Sequence, residues 1–206
     1  MRQKSELKRQ AILDAAVQLF GEVGFERGTM SEIATLAGLT KATVYNYFTS
    51  KEELFFEVMM RWIELEMDTI HHALNSESDN IASNLRRYGE SFLALIYSRE
   101  VQVVRRLMIA EANRSKFSKL CSTHGPEKGK AQLAGYIEKA MQAGSLRQAD
   151  PMVAAHQWSA LLEAELITQF QFGRLEAVDT TQIREITARA VAAFMAIYQP
   201  SDSGRR

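Results

Sequence analysis

Apolar residues recur along this chain at spacings of three and four, from Ile12, Ala15, Ala16, Leu19, Phe20 and Val23 near one end to Ile183, Ile186, Ala190, Val191, Phe194 and Ile197 near the other. That spacing gathers them on one face of an α-helix, whereas a half-buried strand needs a period of two. No Asn-Gly or Asp-Gly pair is present to close a tight hairpin, and the prolines fall only at positions 126, 151 and 200. These features predict an all-α chain of about nine helices.

Punctuation places the helices. A first helix is expected after Ser5, ended by Gly24 as a left-handed cap. Thr29 with Glu32 forms a T-x-x-E capping box opening a short helix from Met30 to Ala37, and Gly38 stops it. Thr40 caps a third helix, Lys41 to about Phe48, and Ser50 with Glu53 opens a long fourth one reaching Leu74. Further helices are expected from Ile81 to Ile96, from Ser98 through Glu111, and from Pro126 to Gly144, with a looser stretch at 115–125 between the last two. Asp150-Pro151 launches one ending at Gly173, and the last runs from Thr181 to Tyr198. With no repeat or low-complexity linker, the division expected is 1–50 and 51–206.

Residues 29–48, TMSEIATLAGLTKATVYNYF, read as two short helices around a tight turn, which is helix-turn-helix geometry. Small Ala34 suits the crossing, while Ile33, Leu39 and Val44 fill the wedge. In the second helix Val44 and Phe48 face inward, which leaves Thr43, Asn46 and Tyr47 outward with Lys41 and Tyr45 beside them. Thr and Asn read base edges in a major groove, and Lys and Tyr hydroxyls hold phosphates. An ordinary helical corner with a solvated polar face is the alternative.

The block from Gln10 to Phe55, with ILDAAVQLFGEVGFERGTMSEIATLAGLTKATVYNYFTSKEELF, closely resembles the DNA-binding domain of TetR/AcrR-type transcriptional regulators. The resemblance implies that Thr29, Thr40, Lys41, Ala42, Thr43, Tyr45, Asn46, Tyr47 and Lys51 contact operator DNA, with Asn46 carrying specificity. It also implies a helical remainder that binds a small ligand and dimerises. RRLMIAEANRSKF, THGPEKGKAQLAGYIEKAMQAGSLR and ADP in that remainder resemble the AefR-like branch.

The helix from Met152 to Phe172 is apolar almost all round, and the last one adds small residues at Ala188, Ala192, Ala193 and Ala196 to its apolar stripe. Both complete the monomer core or, on the sharper reading, supply two helices to a four-helix homodimer interface at about 151–172 and 181–198. Trp62, Phe92, Met108, Phe117, His124 and Trp158 are candidate walls of a cavity for a small apolar or amphipathic effector, with Glu111 or Arg105 as polar anchors.

Other chemistry lacks its parts. Gly125, Gly129 and Lys130 fall one residue short of a phosphate-binding loop and are followed by Ala131. Cys121 with His124, and Asp68 with His71, are each half of a metal site. No G-x-S-x-G or H-E-x-x-H motif occurs, so neither catalysis nor a cofactor or metal is expected. The rival readings are a helical ligand-binding or catalytic bundle with a vestigial helix-turn-helix unit, and a nucleoid-type protein without sequence preference.

Charge refines the partner. The 25 Lys and Arg balance 25 Asp and Glu, which excludes a basic polyanion-binding tail. Residues 1–10 hold Arg2, Lys4, Lys8 and Arg9 against Glu6, and the rest of the first fifty are net negative. Few phosphate contacts per subunit, and hence selectivity through pairing of two subunits, are expected. Uncharged runs reach only twelve residues, as in Ala190–Ser201, against ~20 for a membrane span. With no apolar signal core and one cysteine, Cys121, the chain is expected to be cytoplasmic.

Overall fold

In a computed structural model, residues 2–74, 80–111, 126–175 and 177–200 are described. Ten helices and no strand are found among them: α1 (Arg2–Arg27), α2 (Met30–Leu36), α3 (Lys41–Tyr47), α4 (Lys51–Leu74), α5 (Ile81–Ile96), α6 (Arg99–Glu111), α7 (Pro126–Gln142), α8 (Pro151–Glu163), α9 (Ile167–Gln171) and α10 (Thr180–Tyr198). The chain is all-α, as its periodicity predicts.

Local chemistry explains most boundaries. Gly24 takes φ 80° and ψ 164°, a conformation closed to side-chain-bearing residues, and breaks α1 before a last turn to Arg27. Gly38, at φ 66°, ends α2 in a Schellman motif: Leu39 N–H donates to the Ala34 carbonyl (2.9 Å) and Gly38 N–H to that of Thr35 (3.1 Å). Asp150 Oδ1 accepts from the amides of Met152 (2.8 Å) and Val153 (3.1 Å), so Pro151 opens α8 under a full cap. Asp179 caps α10 in the same way through Gln182 N–H (2.8 Å).

Three expectations are corrected. α1 begins at Arg2 rather than after Ser5, since residues 2–10 contain only good helix formers and Ser. The box expected of Ser50 and Glu53 is shifted. Ser50 Oγ accepts from Glu53 N–H (3.1 Å), but the Glu53 carboxylate reaches back to Thr49, at its amide (2.8 Å) and its hydroxyl (2.5 Å). The single helix expected from 151 to 173 is two, so the described residues hold ten helices where nine were expected. Between them Leu166 N–H donates to the Glu163 carbonyl (3.0 Å), a tightened turn. It separates two acids with different commitments, Glu163 to Tyr97 and Arg105, Glu165 to Arg189.

The described residues form two compact units, one of residues 2–62 with 107–111, the other of 63–106, 126–175 and 177–200. In the first, Ile12, Ala16, Ile33, Ala34, Val44, Phe48 and Leu54 form a closed apolar core. In the second, Leu85, Leu93, Leu133, Ile137, Trp158, Leu162, Phe170 and Phe194 do so. Here α5 meets α8 and α10 at Gly89, where a Cβ would lie 2.8 Å from Thr187 Cγ2 and 2.9 Å from Leu162 Cδ2. Only a residue without a side chain permits that approach.

Candidate nucleic-acid interface

The outer face of α3 is built by what its inner face buries. Val44 and Phe48 are fully enclosed, and their i, i+4 spacing turns Lys41, Ala42, Tyr45 and Asn46 into solvent, with Thr43 and Tyr47 half-buried at the edge. Lys41 Nζ sits 5.9 Å over the Tyr45 ring, a cation–π contact at the outer face. Tyr47 donates its hydroxyl to Ser5 Oγ (3.3 Å).

The two threonines ahead of the short helices are caps. Thr40 Oγ1 accepts from Thr43 N–H (3.2 Å) and shares a hydrogen bond with Thr43 Oγ1 (2.9 Å). Thr29 forms the full box: its Oγ1 accepts from Glu32 N–H (3.3 Å), and its own amide (2.9 Å) and hydroxyl (2.7 Å) donate to the Glu32 carboxylate. Both are exposed at helix N-termini, where free amides and the helix dipole favour an anion such as a phosphate. Lys51 differs. Its ammonium donates to the carbonyls of Phe25 (2.8 Å) and Glu26 (3.3 Å) and lies 4.3 Å from the Phe25 ring centroid, so it closes the end of α1 and has one N–H left to give.

Behind α3 lies an ionic lock that the sequence pattern did not single out. Glu57, 3 % exposed, pairs with Arg9 and with Arg61 (3.2 Å), and the Arg9 guanidinium covers the Phe48 ring at 5.3 Å. Arg61 also donates to Gln10 Oε1 (3.2 Å). The signal was available: Glu57 interrupts an otherwise apolar run, Leu54, Phe55, Phe56, Val58. One of the four cations of residues 1–10 is thereby committed to a protein carboxylate rather than free for DNA.

The candidate cavity residues scatter. Trp62 and Met108 belong to the first unit, exposed and half-buried respectively. Phe92 and Trp158 belong to the second. Phe92 stacks on Tyr88 (5.9 Å, 14°), and Trp158 is sealed in the core against Phe194 (5.4 Å, edge-on). Phe117 and His124 lie outside the described residues, as do Cys121, Gly125 and the side chain of Glu111. Gly129 and Lys130 stand within α7 rather than on a phosphate-binding loop. Asp68 accepts from Gln132 (3.1 Å) and pairs with Lys128 (3.5 Å), which holds its carboxyl below the usual range. His71 turns inward. Its Nδ1 faces the Met67 carbonyl (2.6 Å) and its Nε2 the Tyr88 hydroxyl (3.3 Å), and burial lowers its pKa. Among the described residues no group of three His, Cys, Asp or Glu side chains could hold a metal. Nor is any described helix long and apolar enough to cross a membrane.

In the second unit a polar cluster joins α6 to α8. Glu163 Oε2 accepts from the Tyr97 hydroxyl (2.9 Å) and from Arg105 Nη2 (2.5 Å), and the Arg105 guanidinium lies beside the touching Tyr97 and Phe170 rings (5.1 and 4.6 Å). Burial, then the Glu163 charge, push the Tyr97 phenol up, which keeps it a donor.

Residues 83–200, more than half of the chain, match the family described as AefR-like transcriptional repressor, C-terminal domain, and residues 12–58 match bacterial regulatory proteins of the tetR family. The chain belongs to the TetR family. It is a DNA-binding transcriptional regulator, and its α2–α3 pair is the family's helix-turn-helix. A putative TetR-family regulator from Mesorhizobium loti superposes with a TM-score of 0.78 at 29 % identity, over 95 % of this TetR-family chain and 98 % of that one. The flavonoid-responsive regulator FrrA does so with a TM-score of 0.63 at 30 % identity, over 94 % and 97 %. The fatty acid metabolism regulator protein of Bacillus subtilis is 26 % identical across 89 % of this chain and 87 % of its own length. A shorter match, 34 % identity over 43 % of this chain and 40 % of the other, is to the HTH-type transcriptional activator FasR of Mycolicibacterium smegmatis.

Proposed function

We propose that the protein is a homodimeric repressor that grips a near-palindromic operator with two α3 helices and releases it when a small apolar or amphipathic effector binds the C-terminal part. Residues 1–50 read DNA in this account, and residues 51–206 dimerise and take the effector. The single observation that carries the reading is the face of α3, where Lys41, Ala42, Tyr45 and Asn46 stand exposed on a helix whose other side is locked by Val44 and Phe48.

Asn46 is the specificity residue, since its amide can bond bidentately to adenine. Thr29, Thr40, Lys41, Ala42, Thr43, Tyr45, Tyr47 and Lys51 position the helix on phosphates and groove walls. Two copies of α3 reach successive major grooves roughly 34 to 36 Å apart.

The dimer forms through α8, α9 and α10. In support, Ala188, Ala192 and Ala196 form an exposed stripe on α10, and Met152, Val153, Phe172 and Ile197 are exposed apolar side chains on or beside these helices. Small residues allow close helix approach, and a partner's copy would remove this apolar surface from water. The flavonoid response of FrrA and the fatty acid role in the Bacillus subtilis name support an effector with a large apolar body. Phe92, half-buried in the second unit, stays a candidate neighbour, whereas Trp158 is sealed in that unit's core. The setting is the cytoplasm.

The test is a mobility-shift titration on the region upstream of the protein's own coding sequence. A discrete complex of two subunits per site, weakened by salt and absent from scrambled duplex, is expected. No specific complex at micromolar protein would contradict the proposal.

A further inference from the structure

Among the described residues, three side-chain polar atoms are closed off from solvent without a hydrogen-bond partner: Trp158 Nε1, Thr187 Oγ1 and Arg105 Nη1. The first two are neutral groups on side chains crowded around Gly89, where helix contact leaves no room for a further atom. Arg105 is charged, and its surroundings have the parts of an anion site. One edge of its guanidinium is used by Glu163, while Nη1 faces no acceptor. Tyr97 and Phe170 lie beside it, and Arg106 adds a second guanidinium 5.7 Å from the Phe170 ring centroid. Gln102 Nε2 donates to the Tyr97 carbonyl (2.8 Å), pinning one wall. The cluster thus holds two guanidinium groups and one carboxylate beside an aromatic pair.

Resting on the effector-released reading above, we propose that Arg105 is the anchor for the effector and that the effector carries a single carboxylate on its apolar body. The carboxylate accepts from Arg105 Nη1, while the buried Tyr97 and Phe170 rings hold the guanidinium in place. The two open N–H groups of Nη1 beside a resident acid suit a monoanion, because a dianion would bring a second charge against Glu163. The incoming carboxylate competes with Glu163 for the same guanidinium. Glu163 is the last residue of α8, immediately before the tightened turn to α9, so loosening its hold on Arg105 and Tyr97 acts on a helix assigned above to the dimer. Binding chemistry at Arg105 is thus translated into the geometry of the subunit pair.

The probes are two matched pairs, dodecanoate with dodecanol and 2-naphthoate with 2-naphthylmethanol, titrated calorimetrically into the full-length protein. At least one carboxylate should bind about ten-fold or more tightly than its alcohol, the weight of a charge-assisted hydrogen bond. Arg105→Met should abolish the preference and, because it frees Glu163 from its guanidinium, weaken the operator complex in the absence of any effector. Should that variant fail to fold, Glu163→Gln decides, because removing the competitor should tighten carboxylate binding several-fold and leave the alcohols unchanged. A purely structural ion pair would give no such gain. Equal binding of carboxylates and alcohols, no binding of either pair, a preference that survives Arg105→Met, or unchanged carboxylate affinity in Glu163→Gln would each overturn the proposal. Operator release separates the two levels. Alcohols that release DNA as well as carboxylates remove the Arg105 anchor and keep the effector account, whereas Arg105-dependent binding without DNA release keeps the site and removes that account.

Discussion

The two compact units of this regulator treat polar groups in opposite ways. In the DNA-reading unit Thr29, Thr40 and Ser50 cap helix termini, Lys51 closes the end of α1, and the buried Glu57 has two guanidinium partners. Each of the three buried polar atoms without a partner lies in the other unit, on Arg105, Trp158 and Thr187. An unsatisfied buried donor or acceptor costs about 1–3 kcal/mol, so that unit holds free energy that a ligand or a repacking can recover. A reading head needs one rigid surface, and a sensor needs an alternative close in energy. The contrast supports the division of tasks proposed above.

Five substitutions or conditions break or sharpen this contrast. Trp158→Ala should have the largest effect, a loss of about 3–5 kcal/mol in denaturant unfolding, because it empties the centre of the second core. Protein that remains folded should keep its base preference, and a shifted preference would show that the units are not separate in function.

Asn46→Ala should do the reverse. Stability is expected to stay within about 0.5 kcal/mol, as at an exposed helix position, while discrimination at one base pair falls by about 1–3 kcal/mol in competition binding. Lys41→Ala at the same surface should weaken all duplexes alike and reduce the salt slope by about one.

Thr187→Val tests the unpartnered hydroxyl. Removing a buried oxygen that has no partner should be neutral or stabilise by up to about 1 kcal/mol, read as a raised melting temperature. A clear loss would mean that the hydroxyl is satisfied after all.

The smallest effect is a pH dependence. His71 is buried with its pKa lowered below 6.5, so the fold favours the neutral ring. Above about pH 6.5 folded and unfolded states are both neutral there and the group contributes nothing. As pH falls below that value the unfolded chain takes up the proton first, and stability declines until the folded pKa is passed. Asp68 opposes this decline and His72 adds to it. Thermal melts from pH 8 to 5 should show less acid sensitivity in His71→Gln than in the parent, and equal slopes would remove His71 from the account.

The contrast also explains what could be read from sequence. Capping boxes, the Gly38 turn and the inward pair Val44 and Phe48 are decided within four or five residues, so the helix-turn-helix was legible, although of the expected outward face Asn46 stands exposed while Thr43 and Tyr47 are half-buried. The second unit depends on partners far apart. Glu163 is fixed by Arg105, 58 residues away, and by Tyr97, 66 away. Gly89 matters because of Leu162 and Thr187. No local pattern announces such pairs, which is why the break between α8 and α9, the enclosure of Trp158 and the hold of Glu163 on Arg105 emerged only from the fold. Arg9 shows the same limit within the first unit, since a basic residue in an N-terminal run gives no hint of a buried acid 48 positions on.

The central claim is that two copies of α3, each reading through Asn46, select a palindromic operator. Selection from a randomised duplex library with the full-length protein, repeated with Asn46→Ala, tests it most directly. The account predicts an enriched palindrome whose half-sites lie about one helical turn apart, with one symmetric base pair in each half becoming degenerate in the variant. Enrichment of no motif, or of the same motif at undiminished stringency by Asn46→Ala, would contradict it.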